Sequence, residues 1–209
     1  MRIAVLGAGH VGPVIARVAV EAGYDVSIAA SGDPAKIELI TQILVPGAKA
    51  LWAADAAADA ELVVLAIPLH KFDTFEPAIV AGKIVIDTMN YWPPVDGVQD
   101  LFEDPVLTSS EIVQRRLAGS TVVKTFNHLG YHELADDRRP AGAPDRRAMG
   151  VAGDGIAATV VADVIDAIGY DPVRLDGLRA GRVLQPGGPA FGVPLSKSEF
   201  PLFRKENQQ

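Results

Sequence analysis

Residues Ile3 to Leu6 form an unbroken apolar run that meets Gly7 at once, the pattern of a strand buried on both faces of a parallel sheet. Val11, Val14, Ile15, Val18 and Ala19 then recur at helical spacing along one face, and Gly23 supplies a left-handed stop. Asp25 to Ala30 reads as a second strand. Asp33 followed by Pro34 is a cap and a first-turn proline, and they open a helix through Lys36, Ile37, Leu39, Ile40 and Ile43.

The alternation continues. A short strand is expected near Lys49 to Trp52, an alanine-rich helix near Asp55 to Ala60, and a strong strand from Glu61 to Ile67 ended by Pro68. Lys83 to Asp87 reads as another buried strand. Thr108 and Glu111 make a capping-box pair for a helix that stops before Gly119, and Thr121 to Thr125 is the sixth strand. Ala148 to Ala152 follows as a strand. Asp154 then caps a helix carrying Ile156, Val160, Val161, Val164, Ile165 and Ile168, before an extended Pro172 to Leu175 and a helix near Leu178 to Leu184. Tyr91 to Gly97 and Asp136 to Arg147 break the grammar and read as loops. The second packs four arginines and two prolines into twelve residues and is expected to be a mobile, solvated excursion rather than a phosphate-binding arm.

Strands alternating with helices predict an α/β, Rossmann-type, doubly wound and mainly parallel sheet, with its ligand site at the carboxyl ends of the strands. The expected organisation is a single nucleotide-binding domain over residues 1–186, including the acceptor cleft, and a C-terminal tail over residues 187–209. The tail has little periodicity. Its Pro189, Phe191 and Pro194 suggest that it packs over the site or crosses between the subunits of a homodimer.

Composition narrows the chemistry. Across 209 residues the formal charge is −7, with no long Lys/Arg run, which argues against nucleic acid and against an anionic membrane as partners. The absence of cysteine excludes disulfides, iron–sulfur clusters, thiolate zinc and cysteine nucleophiles, so redox chemistry requires a borrowed cofactor. The apolar run after Arg2 is too short for a signal peptide, no segment is long and apolar enough to span a bilayer, and a cytoplasmic protein is expected. His10, His70, His128 and His132 have no carboxylates at metal-ligand spacing, so no metal site is expected.

Gly7-Ala8-Gly9-His10-Val11-Gly12 is a GxGxxG sequence in its confirming context, after a buried strand and at the opening of an amphipathic helix. Gly7 permits the tight turn, Gly9 lets the backbone approach a pyrophosphate, and Gly12 lets the helix lie close to the strand. His10 and Val11 sit beside the phosphates at the helix N-terminus. At the end of the second strand, where an NAD enzyme places a carboxylate on the ribose, the chain has Ala30-Ser31-Gly32. Asp33 is better read as the helix cap. Without that carboxylate a 2′-phosphate meets no repulsion, Ser31 and Lys36 are available to bind it, and NADP is expected over NAD.

The nicotinamide half is expected over the ends of later strands. There Ile67, Pro68 and Leu69 would press on the cofactor, and Asn90 and Asn127 would either hydrogen-bond to its ribose or carboxamide or cap their own turns. No nucleophile arrangement is evident, and Tyr91, Tyr131 and His128 are the attractive proton donors.

The chain resembles the coenzyme F420-dependent NADP oxidoreductase family, which shares its nucleotide-binding core with pyrroline-5-carboxylate reductase and the STEAP metalloreductases. The resemblance rests on residues 1–12, Ala66-Ile67-Pro68, Val85-Ile86-Asp87-Thr88-Met89-Asn90 and Val123-Lys124-Thr125-Phe126-Asn127. It implies hydride transfer between NADPH and a second planar redox cofactor such as coenzyme F420, in a cleft where Asn127, His128 and Leu129 face the acceptor. Gly32 stands where the family usually has a basic residue, and the loop from Tyr91 to Pro94 and the tail from Gly187 to Gly192 look like those of a subgroup. Imine and β-hydroxyacid dehydrogenases of related architecture add a helical domain for which this sequence leaves no room. Three readings follow from the residues and the resemblance together: an NADP-dependent oxidoreductase with the deazaflavin-like acceptor that the resemblance implies, an NADPH-dependent imine or carbonyl reductase for a small molecule, and a non-catalytic NADP(H)-binding redox sensor.

Overall fold

In the computed structural model, which describes residues 1–200, the first apolar run is strand β1 (Arg2–Leu6). Its side chains enter two cores alternately, Ile3 and Val5 on one face and Ala4 and Leu6 on the other. The chain continues through α1 (Val11–Glu21), β2 (Asp25–Ala29), α2 (Ala35–Leu44), β3 (Lys49–Ala50), α3 (Ala53–Asp59), β4 (Leu62–Leu65) and β5 (Ile84–Asp87). There follow α4 (Pro93–Asp96), α5 (Ser109–Arg116), β6 (Thr121–Lys124), α6 (Tyr131–Asp136), β7 (Ala148–Gly153), α7 (Gly155–Ala167) and β8 (Asp171–Asp176).

The described strands form one eight-stranded sheet in the order β3-β2-β1-β4-β5-β6-β7-β8. Every neighbouring pair is parallel except β6 and β7, which meet antiparallel at Lys124 and Ala152. The fold is therefore the mainly parallel, Rossmann-type sheet that the periodicity predicts. The winding reverses between β1 and β4, which opens a crevice at their carboxyl ends. Leu62 and Val64 of β4, with Ile86 and Val123, join the core under α1 and α7, whereas Val63, Leu65, Val85 and Val122 join the core under α3 and α5. Burial on both faces is why these strands read as continuous apolar runs.

Several expectations are corrected. Tyr91 to Gly97 is not all loop, because Pro93 and Pro94 occupy the first turn of α4, where a missing N–H costs nothing. Asp136 to Arg147 is not a solvated excursion. Arg146 is only 5% exposed and donates to Asp166 Oδ1 (2.8 Å), Asp171 Oδ1 (2.9 Å) and the Asp166 carbonyl (2.6 Å). Arg138 pairs with Glu21 at 2.5 Å, Arg139 with Asp145 at 2.8 Å, and Arg147 with Asp137. Leu178–Leu184 is a 3₁₀ helix rather than an α-helix. In α7 the buried face is shifted toward Ala157, Ala158, Val161 and Ala162, leaving Ile156 exposed, because small alanines let the helix lie close to the sheet. Asp154 sits at the N-cap of α7 without a side-chain bond, whereas Asp33 does cap, accepting from the Ala35 N–H at 2.9 Å. The capping box of α5 is complete on both sides.

The tail, as far as residue 200, packs against its own chain. Ala190, Leu195 and Phe200 are buried with β7 and β8, and the Ala148 N–H donates to the Leu195 carbonyl at 2.7 Å. Residues 201–209 lie outside the described residues. No helix among the described residues is long and apolar enough to cross a membrane.

Arg146 joins the connection before β7 to α7 and β8, so its removal is expected to strand part-buried acceptors. Arg146→Ala should lower the unfolding free energy by about 2 kcal/mol, the scale of charged hydrogen bonds. Urea denaturation measures this, with exposed Arg115→Ala as the unaffected control.

Candidate nucleotide site and acceptor cavity

The three fingerprint glycines have three different surroundings. At Gly7 (φ +130°) a Cβ would lie 2.2 Å from the Ala66 carbonyl oxygen, so only glycine lets the turn pass the end of β4. At Gly12 a Cβ would lie 1.8 Å from the Gly7 carbonyl oxygen, and its absence lets α1 close on β1. Gly9 is exposed, and a Cβ there would meet nothing within 4 Å, so packing inside the protein does not account for it. Open space above Gly9 and an α1 N-terminus with neither a side-chain cap nor an acidic first turn leave N–H donors for an anion. These residues fit a dinucleotide pyrophosphate. At the end of β2, Ser31 and Lys36 are exposed, and the Asp33 carboxylate is committed to its helix cap.

A cavity of about 370 Å³ opens beside this turn, reached by Val11 at the start of α1. It brings together residues singled out from the sequence, among them Val11, Asn90, Asn127, His128, Leu129 and Tyr131. Gly7, Gly9, His10 and Gly12 stay in the adjacent turn, Ser31 and Lys36 lie at the far strand end, and Ile67 and Pro68 follow β4 outside the cavity wall. Leu69 does not face it either, being 4% exposed within the core that holds Phe72.

Among the described residues, Asn90 and Asn127 cap no turns of their own. Asn90 Nδ2 donates to the Asn127 carbonyl at 2.8 Å, and Asn127 Nδ2 donates to Asn90 Oδ1 at 3.0 Å and to the Leu184 carbonyl at 2.6 Å. This pair ties the ends of β5 and β6 to the 3₁₀ segment Leu178–Leu184. Asn127 Oδ1 is buried with no partner among the described residues, a cost usually met by a ligand or water. Phe126, between β6 and Asn127, has φ +67° and is, among the described residues, the non-glycine residue in the left-handed region, a conformation that packing must hold in place.

His128 is 2% exposed, and burial, reinforced by the positive charges of Arg147 and Lys124, pushes its pKa down to about 3. The ring is neutral at physiological pH. Its Nε2 accepts from the Gly150 N–H at 3.3 Å, which puts the proton on Nδ1, and Nδ1 has no partner among the described residues. Tyr91, another expected proton donor, is committed elsewhere: its hydroxyl bonds the Glu103 carboxylate and accepts from the Gln99 N–H at 3.2 Å. Tyr131 remains on the cavity wall, stacked on His10 at 5.7 Å between ring centres.

Sequence reasoning missed one feature. Beneath the cavity Lys124 and Asp87 form a fully buried ion pair (Nζ to Oδ2, 3.2 Å), and Lys124 Nζ also bonds the Met89 carbonyl. Ser110 Oγ donates to the same Asp87 oxygen at 2.7 Å, and the Met89 N–H to Oδ1 at 2.9 Å. Burial lowers the Lys124 pKa, and Asp87 opposes that shift. The signal was present: each charge ends an apolar strand, at positions that are register partners. The tail packs over the site, one of the two alternatives its composition suggested: the Gly192 N–H donates to the His128 carbonyl at 2.8 Å and Phe191 closes one wall.

The neutral His128 ring makes stability depend on acid. An unfolded histidine titrates near 6.5, so as pH falls below that value the unfolded chain takes up a proton that the folded chain refuses until about pH 3. Stability is thus fully present above pH 6.5 and falls by about 1.4 kcal/mol per pH unit on this account. Urea midpoints between pH 7.5 and 4.5 should show this slope in the wild type and its loss in His128→Gln.

Comparison with known proteins follows the same outline. A family described as NADP oxidoreductase, coenzyme F420-dependent, matches residues 2–91. The solved structure of a hypothetical protein, SMa0349 from Sinorhizobium meliloti, is 32% identical, with 94% of this chain and 96% of that one aligned at a TM-score of 0.77. A candidate F420-dependent NADP-reductase from Arthrobacter sp. FB24 is 27% identical, with 94% of this chain and 100% of that one aligned at a TM-score of 0.74. A Streptomyces aurantiacus imine reductase, 17% identical with a TM-score of 0.59, shares the fold over 86% of this chain but only 58% of its own. Among curated proteins no match is found. With a nucleotide-binding half that matches the family and a relative similar along nearly its whole length, the chain belongs to the coenzyme F420-dependent NADP oxidoreductase family.

Proposed function

We propose that the protein transfers a hydride between NADPH and a planar acceptor such as coenzyme F420. The observation that carries this reading is the cavity beside the glycine turn. Its volume, about 370 Å³, lies in the range of small-molecule sites, and it is walled by Phe126, Leu129 and Phe191 together with the amides of Asn90 and Asn127. Apolar walls with a few fixed polar groups suit the alignment of two ring systems, a reaction in which positioning dominates and no strong acid is needed. The buried neutral His128 and the committed Tyr91 hydroxyl are consistent with that economy.

When bound, the nicotinamide supplies the hydride chemistry. In this reading the Gly9 backbone and the α1 N-terminus hold the pyrophosphate, and Ser31 and Lys36 receive a 2′-phosphate. Asn90 and Asn127, locked to each other, present amide groups whose direction cannot drift. Asn127, His128 and Leu129 face the acceptor, and Phe191 of the returning tail keeps water from one side.

A second reading, reduction of a small imine or carbonyl compound, is favoured by one observation, the place of the Tyr131 hydroxyl-bearing ring on the cavity wall. Such an acceptor needs a proton as well as a hydride.

Turnover of purified protein with NADPH or NADH and oxidised F420, followed by absorbance, separates these readings. Matched loss of NADPH and F420 absorbance, faster with NADPH than with NADH and little changed by Tyr131→Phe, is expected. No F420 reduction, with imine reduction abolished by Tyr131→Phe, would overturn the proposal; NADPH binding without any turnover would leave a redox sensor. Because a Cβ at Gly9 meets only open space, Gly9→Ala is expected to weaken NADPH binding about tenfold or more while leaving the unfolding midpoint unchanged.

A further inference from the structure

Charge is distributed one-sidedly around the cavity. Among the described residues no lysine or arginine lines it, and the carboxylate on its wall is Glu133. The charged end itself stands there. Glu133 Oε2 accepts from the Gly130 N–H at 3.2 Å and would lie 3.5 Å from a Cβ at Gly130, another wall residue. The cation paired with Glu133 is shared: Arg147 Nη1 is 3.7 Å from its carboxylate and is also bonded to Asp137, so two carboxylates divide one guanidinium and the group keeps a net negative charge. His128 on the same wall is neutral at physiological pH, and Lys124 beneath the cavity is paired with Asp87.

Another part of the rim is aromatic. Phe191, held by its N–H to the Gly188 carbonyl at 3.1 Å, meets the Trp92 ring edge-on, with ring centres 6.4 Å apart. Trp92 is 48% exposed and stands two residues after Asn90. The face of an indole carries the negative part of its quadrupole, so it takes a flat or cationic partner and disfavours an anion. Volume adds a constraint. At about 370 Å³ the cavity is near the lower end for small-molecule sites, so ring systems fill it and a long side chain has to lie in the mouth.

From this geometry we infer that the cavity selects its acceptor by charge: a planar ring enters beside Trp92 and Phe191, and the side chain left in the mouth carries no anionic group, because Glu133 repels one. Glu133 and Trp92 are then specificity-determining residues. The inference rests on the hydride-transfer reading and narrows its acceptor class. NADPH escapes the exclusion, because in that reading its phosphates stay at the Gly9 turn and at Ser31 and Lys36, outside the cavity wall. The formal charge of −7 on the whole chain acts in the same direction.

Probe pairs that share a ring and differ in side-chain charge test this: riboflavin against flavin mononucleotide, and the deazaflavin chromophore of F420 without its phosphate and glutamates against F420 itself. With saturating NADPH, KM for the uncharged member should be about tenfold lower, and Glu133→Gln, whose amide oxygen can keep the Gly130 bond, should cut that ratio to about twofold by improving the charged probe alone. Added salt should shrink the wild-type ratio and leave the Glu133→Gln ratio unmoved, a response that a merely structural role does not give. Trp92→Ala should raise KM for both members alike with NADPH affinity unchanged, and Trp92→Phe should restore it. Docking is also read without turnover. Of the two tryptophans, Trp52→Phe leaves Trp92, whose fluorescence should be quenched by riboflavin at lower concentration than by flavin mononucleotide when NADP is bound. Equal KM and equal quenching within each pair, or a ratio that Glu133→Gln does not change, would overturn the inference and leave hydride transfer intact. Selective quenching without turnover of any probe would uphold the charge selection and overturn the hydride reading, whereas neither quenching nor turnover would overturn both.

Discussion

Beneath the cavity two opposite charges have been taken out of water. The Lys124 ammonium and the Asp87 carboxylate lie at register-matched ends of adjacent strands, each at most 1% exposed. Burying either alone is prohibitive, and the Coulombic gain between them offsets the loss of hydration only when the remaining donors and acceptors are also met. Here they are. Ser110 from α5 and the Met89 backbone complete Asp87, while the Met89 carbonyl takes a second Lys124 bond. The network therefore joins β5, β6, α5 and the segment leading to Asn90 in one arrangement. A single misplaced partner would leave a charge uncompensated, so this corner has little freedom to deform.

The site inherits that rigidity. Asn90 leaves β5 two residues after Thr88, whose hydroxyl is fixed to the Leu65 carbonyl at 2.8 Å, and Asn127 leaves β6 through the left-handed Phe126. The two amides then lock together and reach the Leu184 carbonyl. Gly181, where a Cβ would come 3.0 Å from Ala152 and 3.3 Å from Lys124, lets the 3₁₀ segment sit directly on the buried pair. The tail continues from that segment and brings Phe191 to the cavity wall. Structure that begins as electrostatics under the sheet thus ends as a shaped opening above it.

Much of this was legible in the chain. The apolar runs located β1, β4, β5 and β6, because strands covered on both faces have no polar face to show. The glycine spacing located the nucleotide turn, since backbone contacts of 1.8 and 2.2 Å to a missing Cβ admit no other residue. The capping box of α5 and the Asp33 cap were read from local chemistry alone. Less legible was anything that depends on who sits opposite. Arginines in a loop look solvated until Asp166 and Asp171 are placed beside Arg146, and an apolar stripe looks like core until α2 is seen to face outward.

The sequence by itself determined the alternation of strand and helix, the parallel sheet and the place of the nucleotide turn, because these follow from periodicity and from steric rules acting over a few residues. Only the tertiary structure decided the pairing of Lys124 with Asp87 and the mutual bonding of Asn90 and Asn127, groups 37 residues apart in each case. It also decided that His128 is neutral and that the tail closes the cavity. Those outcomes depend on burial and on distance between residues remote in the chain, and neither quantity is defined until the sheet has assembled.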